Sequence, residues 1–165
     1  VIRWSFDWKS VISAELYWKH TVYIGLSLRL IQNKYAIFAD KQDFQPMKKV
    51  MVLGASPNKQ RFAHTCVKSL MRYGHEVIPI GVKKGEINGK EIIQGKPSVK
   101  NLHTVTLYLS QQNQEAYYDY ILNQKPKRLI FNPGSENPNL KKLAEKKGVE
   151  VVESCTLVML NTGNF

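Results

Sequence analysis

Cysteine is nearly absent from this chain: Cys66 and Cys155 are the two among 165 residues. Two thiols make neither a disulfide framework nor a cysteine-rich zinc site. Long apolar runs are missing as well. A membrane-spanning helix needs roughly 18 or more apolar residues; the longest candidate, residues 21–31, is shorter and contains Arg29. There is no H-E-x-x-H, no His and carboxylate pair at metal-ligand spacing, and no G-x-S-x-G, so neither a metal site nor a catalytic set is expected from motifs. A soluble, cytoplasmic protein is the default expectation. Acidic residues are scarce too, 13 against 24 Lys and Arg, which leaves a formal charge of +11. That excess implies an anionic partner without distinguishing nucleic acid, membrane surface or a phosphorylated small molecule. What is present in quantity is apolar: 43% hydrophobic residues suffice for a packed core and argue against disorder.

These properties are unevenly distributed. All three Trp residues (Trp4, Trp8 and Trp18) lie in residues 1–46, which carry six basic and four acidic side chains. The remainder, from Met47, carries 18 basic and nine acidic residues, a net of +9. The first segment shows no sustained period of 2 or 3.6 and no turn chemistry that divides it into elements. It does not read as a signal peptide, because Asp7 and Glu15 precede its apolar run and no small-residue cleavage site follows. The chain begins with Val1, and Met47 stands just before a strand-like run. Residues 1–46 are therefore expected to be upstream sequence read into an over-long frame, with a poorly patterned N-terminal extension as the alternative. Residues 47–165 are expected to form the functional domain.

From Met47 the pattern is regular. Val50, Met51, Val52 and Leu53 form a short apolar run ending at Gly54, as a strand buried on both faces does. Phe62, Ala63, Cys66, Val67, Leu70 and Met71 follow at helical spacing, and Gly74 stops that helix. Residues 76–80 read as a second strand. Asn88-Gly89 predicts a tight hairpin turn within an excursion over residues 83–97. Residues 104–109 alternate as a third strand, with Val105, Leu107 and Leu109 inward. Ala116, Tyr117, Tyr120 and Ile121 make the next helical stripe, which Pro126 ends. Residues 128–131 predict a fourth strand. Asn132-Pro133-Gly134 places Pro and Gly at the centre of a type II turn, and Asn137-Pro138 matches an N-cap with Pro at the first helical position. Leu140, Leu143 and Ala144 supply the last stripe, Gly148 ends it, and residues 149–152 form a fifth strand. The fold class is α/β: a Rossmann-like, doubly wound, mostly parallel five-stranded sheet with helices on both faces. In such sheets ligands bind beyond the C-terminal strand ends. The loops after strands one and four both lie at that edge, facing each other if these strands are neighbours.

The first loop opens a helix, whose unpaired N–H groups and partial positive charge suit a phosphate. Gly54 permits a sharp turn, Ser56 offers a hydroxyl, and Arg61 or Lys59 adds a charge. Yet Gly54-Ala55-Ser56-Pro57-Asn58-Lys59 lacks the later glycines of G-x-G-x-x-G and has no G-K-[ST]. After the second strand, where an NAD site carries Asp or Glu, stand Lys83 and Lys84. They favour a ligand with a further phosphate near the adenosine ribose, NADP or coenzyme A; plain solvated loop charges remain the alternative.

The ordered set Val52-Leu53-Gly54-Ala55-Ser56-Pro57, Glu76-Val77-Ile78-Pro79-Ile80, Glu86-Ile87-Asn88-Gly89-Lys90 and Asn132-Pro133-Gly134-Ser135-Glu136-Asn137, followed by residues 149–152 and Cys155, resembles the small stand-alone CoA-binding proteins. These are similar to the nucleotide-binding domain of the succinyl-CoA synthetase α subunit. The resemblance spans residues 47–163. It implies a Rossmann-like fold and coenzyme A or an acyl-CoA as ligand. It also implies that Gly54, Ala55 and Ser56 cradle the diphosphate, that Asn58 and Arg61 flank it, and that Pro133, Gly134, Glu136 and Asn137 line the opposing wall. This chain departs at Gly81, where relatives commonly carry Asn followed by Pro; Lys83 is expected to take part there. No counterpart of the synthetase's phosphohistidine domain is expected in residues 1–165.

The expected activity is therefore CoA binding without demonstrated catalysis. An NADP-dependent oxidoreductase or a CoA-dependent transferase or ligase component is the alternative. Of the histidines, His20 lies in the N-terminal segment, His64 reads as a helix-surface residue near the first loop, and His75 and His103 read as ordinary loop residues preceding strands. Cys155 follows the last strand and reads as a half-buried small hydrophobe, with mixed-disulfide exchange as its functional alternative. Glu136 is offered as an acid or base by its chemistry, but its turn already explains it. Nucleic acid is disfavoured because the basic residues are scattered and no aromatic-basic interleaving is present.

Overall fold

A computed structural model describes residues 46–165, which lie in one compact unit, Gln45–Phe165. All but the last residue of the N-terminal segment, including Trp4, Trp8, Trp18 and His20, lies outside the described residues. Among the described residues no helix is long and apolar enough to cross a membrane.

The apolar run at the start of the domain forms β1 (Lys49–Leu53). It pairs in parallel with β2 (Glu76–Ile80) on one side and β5 (Thr104–Leu107) on the other. β6 (Arg128–Phe131) and β7 (Glu150–Glu153) complete a parallel sheet of order β2-β1-β5-β6-β7. The chain winds from β1 to β2 and then returns to the other side of β1, so the topological switch lies between β1 and β5. The expected doubly wound, five-stranded parallel sheet is what forms.

Both faces of β1 are covered, which is why four consecutive residues, Val50, Met51, Val52 and Leu53, are fully buried. Val50 and Val52 face one apolar cluster with Cys66, Val67 and Leu70 of α1 (Phe62–Arg72) and Met159 and Leu160 of α5 (Thr156–Asn161). Met51 and Leu53 face the other, with Ile121 of α3 (Tyr118–Asn123) and Leu140 and Ala144 of α4 (Pro138–Lys146). Burying one such Leu or Ile side chain contributes about 1.5–3 kcal/mol. A short α2 (Gln111–Gln114) and a single 3-10 turn (Glu115–Tyr117) lead into α3.

Turn chemistry places the boundaries. Gly74 (φ 78°) ends α1 as a Schellman cap, with its N–H on the Met71 carbonyl at 3.1 Å and that of His75 on Leu70 at 3.0 Å. Gly148 repeats the device after α4. Asn88 and Gly89 both have positive φ and join β3 (Glu86–Ile87) to β4 (Lys90–Glu91) in an antiparallel hairpin.

Several expectations need correction. β1 and β6 are not neighbours, because β5 stands between them. The third strand does not alternate: all four residues of β5 are buried, as a central strand between two helical layers requires. Phe62 and Leu143 belong to no buried stripe, being 76% and 40% exposed, and Ala116 is exposed. The last strand is shifted by one residue, and α5 was not anticipated.

His75 is not an ordinary loop residue. It is buried at the N-terminal edge of the sheet, its Nδ1 accepts the Lys48 N–H at 3.3 Å, and its ring lies 5.0 Å from that of Phe165. Burial and then the charges of Lys48 and Arg128, with His103, hold its pKa below the usual 6.5. His103 is lowered by burial, Lys48, Arg128 and Lys127, against an opposing pull from Glu150. The unfolded chain therefore takes up these protons first as pH falls. Stability from this pair is full above about pH 6.5 and is lost as pH drops toward the folded values. Urea denaturation midpoints should be flat from about pH 8 to 7 and fall toward about pH 5, with a shallower fall in a His75→Gln, His103→Gln double variant. An unchanged slope in that variant would remove the two histidines as the cause.

Candidate functional site

Beyond the C-terminal ends of β1, β5 and β6 lies a cleft of about 710 Å³. It sits at the switch between β1 and β5, where open α/β sheets hold their ligands. Four segments wall it: the loop from Gly54 to α1, residues 81–83 after β2, residues 108–110 after β5, and residues 132–135 after β6. Thus the two loops singled out from sequence do meet at one cleft, but the loop after β5 stands between them. Of the expected site residues, Gly54, Ala55, Ser56, Asn58, Arg61, Lys83, Pro133 and Gly134 line it; Glu136 and Asn137 do not.

The first loop is built by close backbone approach. Gly54 has φ 96°, and a Cβ there would lie 2.8 Å from the Tyr108 carbonyl oxygen. The amides of Gly54 and Ala55 both donate to the Ile80 carbonyl, at 3.0 and 2.9 Å. These two N–H groups are committed to the sheet, so they shape the loop without offering donors to a ligand. The Ser56 hydroxyl accepts the Asn58 N–H at 3.3 Å, and the Asn58 side-chain oxygen accepts the Gln60 N–H at 2.9 Å, an Asx turn that leads the chain into α1. Arg61 occupies the N-cap position of α1 and no side chain caps that end. Within the described residues, the amides of Ser56, Phe62 and Ala63 make no hydrogen bond. These, with the Ser56 hydroxyl, the side-chain amides of Asn58 and Gln60 and the exposed Arg61 and Lys83, are donors on this side of the cleft.

Segment 81–95 is pressed against the same loop. A Cβ on Gly81 would lie 2.1 Å from the Ala55 carbonyl oxygen, and one on Gly85 2.7 Å from Pro57. There is no room for a side chain at position 81.

The opposing wall is a type II turn closed by the Ser135 N–H on the Asn132 carbonyl at 2.8 Å, with Gly134 at φ 85°. The Glu136 carboxylate folds back onto the Gly134 N–H, at 2.9 and 3.1 Å. Asn137 is fully buried: its oxygen accepts the Leu140 N–H at 3.1 Å, and its amide donates to Gln114 at 2.9 Å and Tyr118 at 2.7 Å. Gln114 in turn donates to the carbonyls of Leu109 and Ser135, at 2.9 and 2.7 Å, tying the loops after β5 and β6 together. Asn132 donates to Thr106 at 2.7 Å and to the Leu107 carbonyl at 3.0 Å, and accepts the Thr156 N–H at 2.8 Å.

Sequence reading missed Gln114, a polar residue whose helical position alone gives no sign of burial, and the loop of Tyr108, Leu109 and Ser110. Tyr108 follows β5 directly, and its hydroxyl is buried beside Cys66 and Thr156 without a well-formed hydrogen bond. Burial pushes the Tyr108 phenol up and the Cys66 thiol to about 12, so both stay protonated at neutral pH. Cys155 is half-buried and lies outside the cleft lining. Among the described residues no carboxylate and no imidazole lines the cleft, and no three His, Cys, Asp or Glu side chains gather to hold a metal. What the site offers is hydrogen-bond donors, two cations and apolar walls, a set suited to holding a phosphorylated, partly apolar ligand.

Comparison with known proteins supports this reading of the architecture. A crystal structure described as that of an uncharacterized protein is 50% identical, covers 73% of this chain and 100% of its own, and superposes with a TM-score of 0.72. A hypothetical protein from Pyrococcus horikoshii OT3 is 24% identical over 72% of this chain and 85% of its own (TM-score 0.63). A structure described as that of cell-free ID.343 from Thermus thermophilus is 21% identical over 74% of this chain and 93% of its own (TM-score 0.65). The latter two show the shared fold. No curated protein matches. The profile of the CoA binding domain matches residues 48–161, so the chain belongs to the CoA binding domain family.

Proposed function

We propose that this protein binds coenzyme A or an acyl-CoA in the cleft and acts as a binding module, without chemistry of its own. The observation that carries the reading is the uncapped end of α1 with the amides of Ser56, Phe62 and Ala63, unengaged among the described residues, beside Arg61 and Lys83, in a cleft that no described carboxylate lines. A diphosphate at that end gains backbone N–H groups, the helix dipole and a charge-assisted bond from Arg61. Lys83, in the adjoining segment after β2, is assigned to the ribose 3′-phosphate. The apolar side chains Phe62, Leu109 and Tyr117 receive the pantetheine arm.

Calorimetry on the full chain with CoA, 3′-dephospho-CoA, acetyl-CoA, NAD and NADP tests this. CoA is expected to bind, and 3′-dephospho-CoA to bind about tenfold more weakly, the worth of one charge-assisted hydrogen bond. Lys83→Ala should close that gap while leaving dephospho-CoA unaffected; an unchanged gap rejects the role of Lys83. Binding of NADP with no binding of any CoA species would replace the reading with that of an NADP-dependent oxidoreductase.

A further inference from the structure

His64 is the third residue of α1, where a helix-surface histidine is the ordinary expectation. It is instead 7% exposed, and its Nδ1 lies 3.2 Å from the Ser56 carbonyl oxygen. A carbonyl only accepts, so Nδ1 must carry the proton and the ring donates to the loop. The ring does not line the cleft. It lines a separate groove of about 570 Å³ on the outer side of α1, with Lys59, Lys68 and Arg72. The Ser56 carbonyl is thus held toward the outer side of the loop while Ser56 itself lines the cleft.

The consequence is electrostatic. A carbonyl oxygen turned into the cleft would set a partial negative charge against an anionic ligand. With that oxygen engaged, the Ser56 amide and hydroxyl, the end of α1 and Arg61 offer donors at this wall without an opposing carbonyl from Ser56. The bond also ties the loop to the first turn of the helix, so the loop amides and the helix amides keep one relative geometry. Anion sites formed by backbone N–H groups depend on such fixed orientation. The other restraints on the loop, the Asn58 bonds and Gly81 against Ala55, act on either side of Ser56 and leave its carbonyl unassigned.

We propose that His64 is a positioning residue for the anion-binding loop: its Nδ1–H holds the Ser56 carbonyl out of the cleft so that this oxygen does not oppose a diphosphate bound at the loop and helix amides. This rests on the CoA-binding reading for its ligand but not for its geometry, and the experiments separate the two. In the full-length wild-type protein without ligand, long-range 15N–1H spectra should show His64 as the Nδ1–H tautomer. An Nε2–H tautomer overturns the proposal, whatever the protein binds. For the ligand, CoA affinity is compared in His64→Asn, whose amide nitrogen occupies the place of Nδ1, and His64→Gln, whose amide nitrogen reaches the place of Nε2. His64→Asn should stay within about threefold of wild type, and His64→Gln should weaken binding about tenfold, the worth of one lost loop-orienting hydrogen bond. The Ser56 amide 15N shift should move in the Gln variant and not in the Asn variant. Equal affinities in the two variants, or a Ser56 shift that does not follow the Asn–Gln difference, overturns the proposal. Absence of CoA binding in the wild type, with the Nδ1–H tautomer present, would instead overturn the ligand and retain the positioning bond.

Discussion

Gly81→Ala is expected to destabilise the domain by about 3 kcal/mol, at the upper end of ordinary single-substitution effects, and to abolish ligand binding in the cleft. Position 81 has no special backbone angle; the demand is steric. A methyl group there would stand 2.1 Å from the Ala55 carbonyl oxygen, a backbone atom that no rotamer change can move aside. Relief requires the two segments to separate by about 1 Å, to ordinary van der Waals distance. The nearest bonds in the way are those of Gly54 and Ala55 to the Ile80 carbonyl, at 3.0 and 2.9 Å, and that of Gly81 to Ile93 at 3.1 Å. Stretching them loosens the wall made by residues 81–83 and the loop that opens α1, which are the two cationic sides of the cleft. Gly89→Ala is the matched control. Gly89 has φ 74° but nothing within 4 Å of the added carbon, so it carries only the left-handed backbone cost of about 1–2 kcal/mol and no effect on the cleft. Urea denaturation and CoA calorimetry on both variants check this. Equal losses of stability in the two, or intact CoA binding in Gly81→Ala, would show that the close approach at position 81 does not hold the cleft together.

The same contact shows where sequence reading stops. The elements of the sheet were legible because each carries a local signal. The run of Val50 to Leu53 is apolar at every position, Gly74 and Gly148 mark helix ends, and Asn88-Gly89 and Asn132-Pro133-Gly134 prescribe turns by their backbone preferences. Asn137-Pro138 begins a helix because side-chain oxygen and missing N–H are both local devices. Strand order is not local. Nothing in residues 104–107 says that this strand lies between β1 and β6, and so the wall contributed by Tyr108, Leu109 and Ser110 went unseen.

Within the site, residue types were read better than their orientations. The Gly-Ala-Ser loop is legible as a sharp turn, yet nothing local shows that the Gly54 and Ala55 amides both serve the Ile80 carbonyl. His64 was read as surface because one turn of a helix does not reveal which neighbouring loop folds over it. Phe62 was read as core because its spacing fits the buried stripe, but the first helical position projects past the end of the sheet and leaves the ring 76% exposed at the cleft mouth. Glu136 and Asn137 were placed in the wall by a resemblance in motif. The motif is a turn and a helix cap, and its polar groups are engaged within the fold, on Gly134, Leu140, Gln114 and Tyr118.

That inward role makes Asn137→Ala the second large effect. The variant loses the N-cap of α4, worth about 1 kcal/mol. It also leaves the Gln114 side-chain oxygen without its 2.9 Å donor inside a fully buried network, at a cost of about 1–3 kcal/mol. Because these groups share one network, the two terms are not strictly additive, and a total near 3 kcal/mol is expected. Asn137→Ser separates them: its hydroxyl restores the cap on Leu140 but does not reach Gln114 and Tyr118 together, so it should recover about 1 kcal/mol. CoA affinity, measured well below the unfolding temperature, should change less than about threefold in both variants, because the side chain is absent from the cleft lining. The turn it supports does line the cleft, and Gln114 still holds the Ser135 carbonyl at 2.7 Å from its other end. A denaturation midpoint that stays put while CoA affinity collapses would return Asn137 to the ligand. The reverse pattern assigns it to the frame that holds the loops after β5 and β6 at one fixed spacing, which is the width of the cleft on that side.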